Sequence, residues 1–186
     1  MIRRVRITNY KSLRDIEIRL NRLTVFIGPN AAGKSNLFDA LGLLSRMATA
    51  KSLKTAFDQH RGAPLEAFFY GSEGIEGLMA RQDARFTIEV DVELSPQVIR
   101  DVERRIQQMR EGLSRPARQK VRETYLRYAL TIEMMTDSGH LRVFNEQLMA
   151  LNRDGTVRRS RRPFIERMDG RLHLRMEGQA HPTYHD

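Results

Sequence analysis

Gly28-Pro29-Asn30-Ala31-Ala32-Gly33-Lys34-Ser35 is the stretch on which the reading of this chain turns. It matches the phosphate-loop pattern of glycine, four residues, glycine, lysine and a hydroxyl residue without a mismatch. Small residues let backbone N–H groups close around a phosphate, and a helix opening near Gly33 points its positive end at it. In such a loop Lys34 reaches the β- and γ-phosphates, and the Ser35 hydroxyl is placed to ligate Mg²⁺. Glycine is only about 7% of average usage, so a chance match in a chain this long is roughly a one-in-a-hundred event.

The flanks give the loop a context. Leu23-Thr24-Val25-Phe26-Ile27 is a nearly continuous apolar run, which predicts a strand covered on both faces. After the loop, Leu37, Ala40, Leu41 and Leu44 recur at helical spacing. Upstream, Val5 and Ile7 alternate with polar residues, Asn9-Tyr10-Lys11-Ser12 breaks the pattern as a turn, and Ile16, Ile18 and Leu20 alternate again. A hairpin, a buried strand and a helix make α/β logic with an antiparallel element attached.

Residues 51–82 carry weaker signals and read as a partly helical, loop-rich connection. Phe86, Ile88, Val90, Val92 and Leu94 then alternate as a strong one-faced strand. Val98, Val102, Ile106, Met109 and Leu113 step by three and four as an amphipathic helix, and Pro116 is expected to open a second helix carrying Val121 and Tyr125. Tyr128, Leu130, Ile132 and Met134 return to strand alternation. Asp169-Gly170, between Phe164–Met168 and Leu172–Met176, predicts a two-residue hairpin. There is no internal repeat.

Composition sets the outer bounds. The chain has 186 residues, 40% of them hydrophobic, enough for one domain or one lobe with a real core. It has no cysteine, which excludes a disulfide scaffold, a cysteine zinc site and a thiol nucleophile. No run approaches a membrane span and Met1-Ile2-Arg3-Arg4 opens no apolar leader segment, so a cytoplasmic protein is the expectation. The net charge is +9, and of the 32 basic residues only Lys11, Lys34, Lys51, Lys54 and Lys120 are lysines, leaving 27 arginines. That balance fits a nucleic-acid partner. It equally fits an arginine-leaning genome, and composition leaves both open.

No Asn-Lys-x-Asp base-reading motif of a GTPase is present, and nucleoside kinases usually open directly on the loop strand, whereas a hairpin precedes it here. Residues 1–13, Met1 to Leu13 with Asn9-Tyr10-Lys11-Ser12 at their end, followed by Leu23 to Asn30 and Gly33-Lys34-Ser35-Asn36-Leu37, resemble the ABC-type ATPase heads of DNA-maintenance proteins. These are the RecF-like, structural-maintenance-of-chromosomes and overcoming-lysogenization-defect groups and their AAA-labelled bacterial defence relatives. The resemblance is tight over 1–48 and loose through the antiparallel region. It implies an α/β, P-loop NTPase, ABC-ATPase-like lobe with an antiparallel β-subdomain and a helical insertion. The expected divisions are an ATPase core at 1–50, a connection at 51–83, and a β-subdomain at 84–186 with its insertion at about 96–127. It also implies a head in DNA repair or anti-phage defence that binds ATP and Mg²⁺, pairs with a second head and couples nucleotide state to DNA. Carried onto this sequence, Asn30, Gly33, Lys34, Ser35 and Asn36 line the phosphates, in a loop that includes Gly28, Ala31 and Ala32. Ala31 stands where many relatives have glycine. Lys11 and Ser12 sit where such heads bring an N-terminal turn beside the nucleotide, although a solvated turn lysine has the same sequence signature.

The departures from that pattern are specific. No apolar run ends in the Asp and Glu of a Walker B strand: Phe86 to Asp91 is interrupted by Thr87 and Glu89, and Val98 to Asp101 by Arg100. Asp91 and Asp101 remain as unconventional metal carboxylates. No Leu-Ser-Gly-Gly-like signature is present, and a Q-loop glutamine falls on Gln82 or Gln179 without a clear choice. The chain reads as the N-terminal half of a head, an ATPase only once a C-terminal half or effector protein completes it. The alternatives are a nucleotide-dependent interaction module without turnover and a transporter nucleotide-binding subunit, in which Tyr10 would stand in as the base-stacking aromatic. Arg158-Arg159-Ser160-Arg161-Arg162 is the densest basic cluster, a DNA-backbone grip or a solvated hairpin rim. His60, His140, His173, His181 and His185 show no metal-ligand spacing.

Overall fold

The computed structural model describes residues 1–110, 120–158, 161–168, 170–175 and 183–185. In it, β1 (Ile2–Tyr10) and β2 (Leu13–Arg19) form the expected hairpin. The loop helix α1 (Lys34–Thr49) and α2 (Leu53–Asp58) follow, then two short 3₁₀ turns at Pro64–Ala67 and Gly71–Glu73, and α3 (Gly74–Met79). The remaining elements are β3 (Asp83–Glu93), α4 (Pro96–Arg110), β4 (Tyr125–Met135), β5 (Leu141–Ala150), β6 (Ile165–Met168), β7 (Arg171–Leu174) and β8 (Thr183–His185). Among the described residues the strands make one sheet in the order β2-β1-β3-β4-β5-β6-β7-β8, with every neighbouring pair antiparallel.

The register explains why this sheet holds. Val5 lies opposite Val90 and Ile7 opposite Ile88, while Ile88 faces Leu130 and Phe86 faces Ile132. These cross-strand apolar pairs share one face. They join Leu37, Ala40, Leu43 and Leu44 of α1 with Phe57, Phe68 and Leu78 in a single buried cluster. The other face is polar and matched within itself. Arg4 bonds Glu17 at 2.8 Å, Arg127 grips Asp91 through two bonds of 2.6 and 2.8 Å, and Thr87 meets Thr131 at 2.9 Å. Glu133, with no exposed side-chain surface, is held by Arg85 at 2.7 Å and by Arg142. Much of the arginine content on this face is therefore committed to internal carboxylates.

Three expectations are corrected. Leu23 to Ile27 forms no strand: Leu23, Val25 and Ile27 are 82%, 70% and 92% exposed. The chain leaves the sheet after Leu20 N–H bonds Arg3 O at 2.7 Å, and a turn follows in which Asn21 N–H donates to Thr24 Oγ1. A strand needs a neighbour for its peptide groups, and among the described residues none lies beside 23–27. Only Phe26 turns inward, edge-on to Phe38 with ring centroids 5.7 Å apart. Second, among the described residues the insertion is helical over 96–110, and it does not carry Tyr125 on a second helix, because Tyr125 and Leu126 extend β4 opposite Glu93 and Val92. Pro116 lies outside the described residues. Third, β5 and β8 add strands that the sequence did not single out.

Candidate nucleotide-binding site

The loop 28–33 has no regular structure and ends on Gly33, whose φ of 88° is left-handed. That conformation suits glycine, and close packing excludes anything larger. A Cβ on Gly33 would stand 2.8 Å from Leu13 Cδ2 and 3.5 Å from Ser12 Oγ. The loop is thus seated on the β1–β2 turn. Ala31 also adopts a positive φ, 66°, a left-handed conformation that favours glycine.

No side chain caps α1 at its start, and its first turn carries no acidic residue. Its leading amides lack helical partners, and the positive end of the helix dipole goes unneutralised by the helix itself. Lys34 Nζ donates to the carbonyls of Gly28 and Pro29, both at 2.7 Å, so its charge lies across the loop. Ser35 is exposed. Asn36 Nδ2 donates to Ser12 Oγ at 2.7 Å, tying the helix to the turn a second time. The structure therefore seats Ser12 against Gly33 and Asn36, with Lys11 next to it in the same turn.

Behind the turn lies a network that the sequence reading missed. Lys11 Nζ reaches Asp39 at 2.5 Å and donates to Arg61 O at 2.8 Å. The Tyr10 hydroxyl donates to Asp39 Oδ2 at 2.8 Å and lies 2.9 Å from His60 Nε2. A hydroxyl has one proton to give, so with that proton on Asp39, Nε2 is the donor to Tyr10. Burial, reinforced by Asp39, pushes the Tyr10 hydroxyl well up. Burial also opposes ionisation of Asp39, but the bonds from Lys11 and Tyr10 outweigh it and hold the carboxyl below its usual range. Burial lowers His60, against the pull of the Gly62 carbonyl. The signal for Asp39 was present: it is the only acidic residue in α1.

Other predicted residues fall elsewhere. Tyr10 is completely buried, edge-on to Phe86, and cannot stack on a base. Asp91 is held by Arg127 and lies opposite Arg4, toward the end of β1 away from the Tyr10 turn. With about 3.3 Å per strand residue, that separates it from the loop by much of a strand length. Asp101 lies on α4 beside Gln97. Gln82 is exposed at the start of β3, and Gln179 lies outside the described residues. Arg158 binds Glu123 through two bonds of 2.8 and 2.7 Å, and Arg161 approaches the same carboxylate at 3.4 Å. Arg162 is exposed, and Arg159 lies outside the described residues. Among the described residues no cluster of His, Asp and Glu could hold a metal ion; His181 lies outside them.

Comparison with known proteins adds two findings. A stretch of 59 residues is 34% identical to the DNA replication and repair protein RecF of Corynebacterium jeikeium (strain K411), covering 31% of this chain and 14% of that protein. The chain thus spans about a seventh of the length of that curated relative. The family described as an AAA ATPase domain matches residues 1–114, a span that contains the loop, its helix and the turn beneath them. By that match the chain belongs to the AAA ATPase domain family of nucleotide-binding P-loop proteins.

Proposed function

We propose that this chain is the ATP-binding, N-terminal part of an ABC-type head of a DNA-associated ATPase, working in repair or anti-phage defence. The observation that carries the nucleotide assignment is the seating of Gly33 against Leu13 and Ser12, which fixes loop, helix start and turn as one wall. In this reading the backbone of Gly28, Asn30, Ala31, Ala32 and Gly33 surrounds the phosphates. Lys34 moves from the Gly28 and Pro29 carbonyls to the β- and γ-phosphates. Asn36, Lys11 and Ser12 border the bound nucleotide. Mg²⁺ keeps several waters and takes few protein ligands, so an exposed Ser35 hydroxyl at the helix start fits it. The ion would neutralise phosphate charge there.

The exposed Leu23, Val25 and Ile27 favour a partner. In our reading a strand from the C-terminal half of the head, or from an effector protein, covers them and completes the sheet that the AAA family implies. A second head and DNA are the further partners. Among the described residues no helix is long and apolar enough to cross a membrane, in keeping with a cytoplasmic role. The test is calorimetry with Mg-ATP. Lys34→Ala should abolish measurable binding, because charge-assisted bonds to phosphate are the strong ones; unchanged affinity would remove the assignment.

A further inference from the structure

Three consecutive aromatics, Phe68, Phe69 and Tyr70, follow the 3₁₀ turn at Pro64–Ala67. Only Phe68 is spent on the core, where it is fully buried against Phe86 with centroids 5.1 Å apart. Phe69 is half-buried and Tyr70 is 37% exposed, and both lie outside the core cluster. Their backbone is nevertheless fixed. Lys11 N–H donates to Ala67 O at 3.0 Å, Phe69 N–H to Asn9 O at 2.9 Å, and Tyr10 and Phe68 form a strand bridge. Aromatic surface without a core role is thus held beside the turn that supports the phosphate loop.

Between them is a cleft of about 560 Å³ lined by Lys11, Ser12, Asn36, Glu66, Phe69 and Tyr70. It adjoins the loop, since Ser12 and Asn36 on its wall are the hydrogen-bonded pair that joins the turn to the first turn of α1. A triphosphate gripped at 28–35 leaves its nucleoside to be housed nearby. Concave sites of this size with a few polar groups among aromatics suit drug-sized ligands.

We infer that this cleft takes the purine base of the nucleotide, with Phe69 and Tyr70 as its stacking surface and Lys11 and Ser12 as polar groups at its edge. Every base has a π-face, and a purine offers the larger one, so aromatic stacking adds affinity that the phosphate loop cannot supply. This assignment rests on the phosphate-loop reading above. It also gives the 65–72 segment a role that the buried Tyr10 cannot fill.

Calorimetric titrations of the chain with Mg-ATP, Mg-CTP and Mg-tripolyphosphate test it. Wild type should bind ATP more tightly than CTP, and CTP more tightly than tripolyphosphate. Tyr70→Ala and Phe69→Leu should each weaken ATP by roughly tenfold, the scale of one lost base–aromatic stack. Tripolyphosphate binding should stay unchanged in both, which also shows that the loop remains folded. ATP affinity untouched by both variants, or equal losses for ATP and tripolyphosphate, would overturn the base cleft and leave the phosphate loop standing. Failure of the wild type to bind either ligand would overturn both readings together.

Discussion

The Lys11 ammonium lies 2.5 Å from the Asp39 carboxylate, linking the β1–β2 turn to the second turn of the loop helix. Both side chains are largely buried, at 14% and 15% exposure, and Tyr10 donates to the same carboxylate. An ion pair withdrawn from water is costly to break from one side, because the survivor loses its partner without regaining full hydration. The pair therefore fixes where the turn sits relative to the loop.

Asp39→Ala should lower the unfolding free energy by about 2–3 kcal/mol, since it strands Lys11, Tyr10 and His60 together. Asp39→Asn keeps an acceptor for Tyr10 and should cost less. Urea denaturation of the two variants and the wild type gives the comparison. Equal stabilities for all three would show that the network carries nothing.

His60 gives this network a pH dependence. Burial sets its pKa below the ordinary histidine value, with the Gly62 carbonyl opposing, Lys11 and Arg46 repelling the charged form and Asp39 favouring it. Between the native and ordinary values the unfolded chain binds more protons than the folded one, so stability rises with pH there. The His60 contribution is full above about pH 6.5 and is lost as pH falls through the lowered native value. Asp39 has the same sign in a lower window, since its carboxyl also sits below its usual range. Melting temperatures from pH 8 to 5 should fall on acidification, and His60→Gln should flatten the upper part of that fall. A His60→Gln profile parallel to wild type would assign the slope to other groups.

The sequence made the phosphate loop legible because its requirements are local. Gly33 needs a left-handed φ, and Lys34 and Ser35 follow at fixed offsets, so eight residues carry the motif without tertiary help. The β1–β2 hairpin and β3 were legible for a similar reason, since Val5, Ile7, Phe86, Ile88 and Val90 alternate at a period of two. The Leu23 to Ile27 run misled because a strand depends on a neighbour as well as on its own apolarity. The Asp39, His60 and Tyr10 network was hidden because its members lie up to 50 residues apart, and no local period links them. Tyr10 in particular reads in sequence as an available aromatic, yet its ring is fully buried, edge-on to Phe86, with its hydroxyl on Asp39.

The basic cluster divides into two kinds of arginine. Arg158 is bound to Glu123, whose side chain is only 6% exposed. Arg158→Ala should therefore cost stability, about 2 kcal/mol for an uncovered buried charge, and leave any DNA affinity unchanged. Arg162 is exposed and stands for a phosphate contact in the proposed DNA role. Arg162→Ala should lower the slope of log affinity against log salt by about 1. Fluorescence anisotropy with a duplex at several salt concentrations reads both effects. A slope that does not move with Arg162 returns the arginines to the compositional explanation.

The last expectation is that the chain alone binds ATP and scarcely hydrolyses it. Phosphoryl transfer asks the protein mainly for positioning and charge stabilisation. In the proposed reading Lys34, Ser35 and the loop amides supply the grip on the phosphates, and a grip equal in ground and transition states improves affinity without raising turnover. On this expectation a partner segment supplies the metal-shell carboxylate and the group that orients water. Asp91 is committed to Arg127 and Arg4 toward the far end of β1, and Asp101 lies on α4. Neither borders the loop. A phosphate-release assay on the purified chain should give a rate far below about 1 s⁻¹, the low end of ordinary enzyme turnover. Adding a C-terminal segment with an apolar strand ending in Asp-Glu should raise it, and Lys34→Ala should abolish the gain. The same segment should protect Leu23, Val25 and Ile27 from solvent in hydrogen exchange of their amides, because a paired strand closes the peptide groups that are open in the chain alone. Lys34-dependent turnover near 1 s⁻¹ without any partner would mean that the chain carries its own catalytic carboxylate.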